Sequence, residues 1–103
     1  MRTYYSEFVG HCARYYSRSV INAPSAQPKF KTEAEKRNWL ACDLALKGVP
    51  EQERDMILTV YSEGDTLPDN IFQLAKKLGI NQNKIWEVIT AFERKVAKRR
   101  GLL

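Results

Sequence analysis

Three observations in the sequence predict an all-α fold of about five helices. Apolar residues recur at three- and four-residue intervals. No stretch alternates with period two for more than a few residues, and residues that start or stop helices stand between the periodic stretches. At 103 residues the chain suits one core rather than two. A single domain over 1–103 is therefore expected, with an N-terminal amphipathic helix (1–21), a proline-containing linker (22–31) and a helical core (32–103).

Tyr5, Phe8, Val9, Cys12 and Tyr16 form one stripe of a first helix, from about Thr3 to Ser19. Gly10 lies inside it and costs up to about 1 kcal/mol relative to alanine. Asn22 to Lys31 holds Pro24 and Pro28 and shows no periodicity, the mark of a linker. Thr32 followed by Glu35 is a capping box, which satisfies two orphan N–H groups at a helix start. This second helix should run to about Lys47 and stop at a left-handed Gly48. From Trp39 to Leu46 only Asp43 interrupts its apolar character, so it should lie between the first helix and whatever follows.

Pro50 suits the first turn of a third helix, whose buried stripe is Met56, Ile57, Val60 and Tyr61 and whose end is Glu63–Gly64–Asp65. A short fourth helix is predicted from Asp69, after Pro68, with Ile71, Leu74, Ala75 and Leu78 inward and Gly79 as its stop. Asn81 caps a fifth, in which Ile85, Val88, Ile89, Phe92 and Val96 line one face up to the basic run Lys98–Arg99–Arg100.

Composition limits the chemistry. No run of about 18 apolar residues exists, which excludes a spanning helix. Arg2, Glu7, Arg14 and Arg18 break up the start, so no signal peptide is expected there and a cytoplasmic location is. Cys12 and Cys42 read as reduced core thiols. The one histidine, His11, leaves no His-rich metal site, and the five glycines are never clustered into a phosphate-cradling loop. His11 beside Cys12 is a poor nucleophile–base pair, because neighbouring helical side chains diverge by about 100°. Neither an enzyme, a cofactor nor a metal is expected.

Charge is more informative. The net charge is +5, unevenly placed. Residues 51–69 carry a net −5, whereas residues 70–103 carry +6 through Lys76, Lys77, Lys84, Arg94, Lys95, Lys98, Arg99 and Arg100 against Glu87 and Glu93. Such asymmetry gives an oriented field of the kind nucleic-acid binders present. A solvated helix end, where lysine and arginine complement the dipole, would also carry such residues.

A short helix (69–78), a tight turn over Leu78–Gly79–Ile80–Asn81 and a longer helix from Gln82 have helix-turn-helix spacing. Glycine in the turn serves a backbone position at φ > 0. Ile80 is expected to tuck under the two helices, and Ala75 is small enough to let them cross closely.

The segment Ala45 to Leu58 (ALKGVPEQERDMIL) resembles the entry to the C-terminal helix-turn-helix domain, region 4, of sigma factors. There an "AL…LP…ER" signature precedes an apolar helix ending near an aromatic residue, here Tyr61. Ile71 to Asn81 (IFQLAKKLGIN) is similar to the same family's "EIAE.LGIS" pattern, with Asn81 in place of the serine cap. The likeness spans roughly residues 40–101. The whole chain, with "YYSEFV…ARYYSR" near its start and "AKRRGLL" at its end, also looks like small uncharacterised prophage and mobile-element proteins of gut Firmicutes.

The resemblance implies that the first two turns of the last helix reach base edges. At those positions stand Gln82, Asn83, Lys84, Trp86, Glu87 and Thr90. Gln82 and Asn83 suit bidentate bonds to adenine, and Lys84 suits guanine or a phosphate. Lys76, Lys77, Arg94, Lys98, Arg99 and Arg100 are the expected phosphate contacts. Two positions depart from the family: Trp86 replaces a hydrophilic reader, and Glu87 sets a negative charge near phosphates. No counterpart of the domain that binds the other promoter element is expected in these 103 residues, so a complete sigma factor is not expected.

Trp86 admits three readings: an anchor for a partner protein, a core residue covered by the N-terminal helix, or a stacking surface for nucleic acid. Trp39 reads as core. Tyrosines 4, 5, 15 and 16 read as a packed stripe with hydroxyls at the rim rather than a base-stacking platform.

Two functions follow as expectations. The first is a small regulator of transcription in a phage or mobile element, bound to duplex DNA. The alternative is a protein-interaction module that docks on RNA polymerase or inhibits a defence nuclease complex, in the manner of anti-CRISPR proteins, with Trp86 and Glu87 as its anchor. No membrane contact is expected, and a homodimer joined through the N-terminal helix would suit a palindromic operator.

Overall fold

The computed structural model describes residues 3–23 and 27–103. Met1 and Arg2 at the start, and Pro24 to Ala26 within the predicted linker, lie outside the described residues. Five helices follow in order: α1 (Ser6–Asn22), α2 (Glu33–Ala45), α3 (Glu51–Ser62), α4 (Leu67–Leu78) and α5 (Gln82–Arg99). Among the described residues there is no strand, and no helix is long and apolar enough to cross a membrane.

The helix ends follow from local chemistry. Thr32 Oγ1 accepts the Glu35 N–H at 3.1 Å, one of the two hydrogen bonds of the expected capping box, and starts α2. Asn81 accepts the Asn83 N–H at 2.8 Å and opens α5. The fourth helix starts two residues earlier than its sequence suggests, because Thr66 and not Pro68 marks the boundary. Thr66 Oγ1 accepts the Asp69 N–H at 3.4 Å and donates to the Asp69 carboxylate at 2.9 Å, leaving Pro68 in the first turn where its missing N–H costs nothing. Pro50 stands one place before α3 rather than in its first turn.

Gly79 ends α4 at φ 67°, and the Ile80 N–H reaches back to the Ala75 carbonyl at 3.1 Å. This is the six-to-one closure of a left-handed helix stop. It also corrects the expectation for Ile80: the closure holds that residue at the rim of α4, where it is 36% exposed rather than tucked beneath the helices. Leu78 is likewise on the rim, at 45% exposed, while Ala75 is buried as expected.

α5 is the central element and touches all four other helices. α1 lies chiefly on α3, and α2 packs on α1 and α5 but not on α3. α4 is peripheral, contacting only α3 and α5. The core joins Tyr5, Val9, Cys12 and Tyr16 of the N-terminal stripe to Trp39, Ile57, Tyr61, Ile71, Ile85, Ile89, Phe92 and Val96. Phe8 leaves the predicted stripe for its edge, since Ala13 and Ser17 fill the inward face instead. The tyrosines divide: Tyr5 and Tyr16 are buried, Tyr4 and Tyr15 exposed.

Buried polar groups tie the helices together. The Tyr16 hydroxyl donates to Asp43 at 2.7 Å, and the Trp39 indole N–H donates to Ser19 Oγ at 2.8 Å. Burial, and then the Asp43 carboxylate, push the Tyr16 phenol well above its ordinary range. The linker is anchored after its proline: Phe30 packs on the Trp39 ring at 5.9 Å between centroids. The Tyr4 hydroxyl donates to the Leu102 carbonyl, joining the start of the described chain to its end.

Candidate nucleic-acid interface

α4, the Gly79 turn and α5 present their start-of-helix residues to solvent. Gln82, Asn83 and Lys84 are all exposed in the first turn of α5. Further along, Glu87, Ala91, Arg94, Lys95 and Lys98 are exposed on the same outward side. At 1.5 Å per residue, the stripe from Lys84 to Lys98 is about 21 Å long. Its only acid is Glu87.

Asn83 and Thr90 belong to a second face of α5. With Trp86 and the buried Glu93 they line a cleft of about 500 Å³, closed on the far side by Thr3, Tyr5 and Ser6. Their spacing of three, four and three residues sets the four on one side of the helix. Trp86 is half-buried against the core, while Glu87 is exposed and projects about 100° away around the helix. Glu93 accepts hydrogen bonds from the Tyr61 hydroxyl at 3.1 Å and, at 3.5 Å, from Ser6.

The expected phosphate contacts fall in different places. Lys76 and Lys77 are exposed in the last turn of α4. Lys77 borders grooves that also contain Asp55, Glu63 and Asp65, so the acidic segment lies beside it. Arg94 is on the outward stripe of α5. Lys98 and Arg99 line a groove of about 450 Å³ between the ends of α2 and α5, together with Lys47, Lys95, Leu44 and Ala45. Arg100 is only part-exposed, and its Nε donates to Asn38 Oδ1 at 2.7 Å, which makes it a tie between α5 and α2.

Sequence reading missed three residues of this surface. In the sequence Lys47 is only the end of a helix; the groove reaches it because α2 and α5 end side by side. Lys95 was counted as charge but not placed. In the sequence Glu93 is one more acid on a basic helix. The signal for its burial is its place four residues after Ile89 and three before Val96, on the buried face.

Comparison with protein-family models, curated proteins and solved structures finds no match for this chain.

Proposed function

We propose that the chain binds duplex DNA through α4, the Gly79 turn and α5, and regulates transcription for a phage or mobile element. One observation carries the reading: Gln82, Asn83 and Lys84 are exposed together in the first turn of an 18-residue helix, directly after a left-handed glycine stop. Amide side chains suit bidentate pairing with adenine in the major groove, and Lys84 suits guanine or a phosphate. Lys76, Arg94, Lys98 and Arg99 supply phosphate contacts, while Lys77 contributes less because the carboxylates beside it offset its charge. Arg100 holds the helix rather than the duplex.

The test is duplex binding by fluorescence anisotropy over a set of sequences. Gln82→Ala and Asn83→Ala should each cost about 1–3 kcal/mol on the best site and relax preference at particular base pairs. Equal losses on every sequence would remove the readout role.

A second reading rests on the cleft. Asn83, Trp86 and Thr90 share it with Tyr5 and Ser6, an aromatic and hydroxyl-lined recess suited to a protein partner such as RNA polymerase or a defence nuclease. Under that reading Trp86→Ala abolishes binding to the purified partner, and the wild-type chain binds little duplex at physiological salt.

A further inference from the structure

The groove between α2 and α5 brings four cations together from two helices: Lys47, just beyond α2, and Lys95, Lys98 and Arg99 of α5. All four are exposed, none forms a salt bridge among the described residues, and no carboxylate lines the groove. Two helix C-termini meet here. Their dipoles favour Lys47, Lys98 and Arg99, but the effect falls off within the last turn, and Lys95 stands before it. Four like charges held side by side repel one another, and a polyanion relieves that repulsion. Leu44, 37% exposed, and Ala45 form an uncharged wall, so the recess is shaped as well as charged.

We propose that this groove is a phosphodiester-backbone site, in which Lys47 and Lys95 join Lys98 and Arg99 to hold a strand of duplex DNA. It rests on the DNA-binding reading and extends it. The groove lies about 16–23 Å along α5 from Lys84, so the protein holds the duplex beyond the start of the helix as well as at it. The Arg100–Asn38 hydrogen bond ties α5 to α2, so the two backbones that carry the cations stay side by side.

The experiment measures duplex affinity across a salt series for wild type, for a Lys47→Ala/Lys95→Ala variant and for a Gln82→Ala/Lys84→Ala variant. Thermal melts check that each is folded. The groove variant should bind all sequences more weakly by a similar factor. The slope of log affinity against log salt should flatten by about 0.9 for each lysine removed. Lys95→Arg should retain both affinity and slope. If the groove variant matches wild type while the Gln82/Lys84 variant loses binding, the groove proposal is overturned and the DNA reading stands. If wild type binds no duplex even at low salt, both are overturned.

Discussion

Arg100 Nε donates to Asn38 Oδ1 across 2.7 Å, joining residues 62 positions apart in the chain. The bond crosses from the end of α5 to the middle of α2 and adds a polar tie to the apolar packing of these two helices. It also removes Arg100 from the basic run with which its neighbours are grouped in sequence.

Replacing Arg100 with alanine should therefore lower stability by about 1.5–3 kcal/mol, the usual worth of a hydrogen bond to a charged group. Asn38→Ala should cost a comparable amount, and the double variant should cost clearly less than the two added together. Chemical denaturation of the four proteins measures the coupling. Strict additivity would mean that the two side chains do not interact in solution.

Gly79 occupies φ 67°, and an added Cβ would meet no atom within 4 Å. The cost of a side chain there is thus a backbone cost alone. Gly79→Val should destabilise the protein by about 1–2 kcal/mol, and Gly79→Asn by less, since asparagine tolerates the left-handed region. Equal melting temperatures for the two variants would place the turn elsewhere.

Ser17 is 1% exposed, and its hydroxyl has no hydrogen-bond partner among the described residues. Burying an unpaired hydroxyl is unfavourable, and alanine is the better helix former. Ser17→Ala should leave stability unchanged or raise it by up to about 1 kcal/mol. A loss beyond about 1 kcal/mol would show that the hydroxyl is satisfied in solution.

Burial pushes the Cys12 thiol from an ordinary 9.0 up to about 11, although the positive charge of Arg100 opposes the shift. Cys42 is raised further, by burial first and then by its neighbours Cys12 and Asp43. A raised folded pKa means that the fold favours the protonated thiol. That stability is complete below pH 9 and is lost as pH rises towards 11. Neither thiol should react with a thiol reagent at pH 8 until the protein is unfolded. Between pH 9 and 11, wild type should lose more stability than a Cys12→Ala variant, as measured by denaturant titration.

The helices were legible because their signals are local. Thr32, Gly48, Gly79 and Asn81 act within four residues of themselves, and the stripe from Ile85 to Val96 needs only the helical period. What sequence could not supply was which element lies beside which. The position of Ile80 follows from closure of α4, not from its hydrophobicity. Phe8 is at the edge of the buried face, which extends to Ala13 and Ser17, two small residues that carry no strong hydrophobic signal in the sequence. Arg94, Lys98, Arg99 and Arg100 read alike in the sequence. The tie to Asn38 and the groove with Lys47 separate them, and both depend on contacts more than 45 positions apart.

Under the proposed function a duplex lies on the start of α5. Amide chemical-shift mapping of the labelled protein, titrated with the best-bound duplex at low salt, tests it most directly. The largest shifts should centre on residues 76–84, continue along the exposed side of α5 through Glu87 and Arg94, and diminish together as salt is raised. Shifts confined to the exposed side of α1 or to the acidic face of α3, with residues 82–84 unmoved, would contradict it.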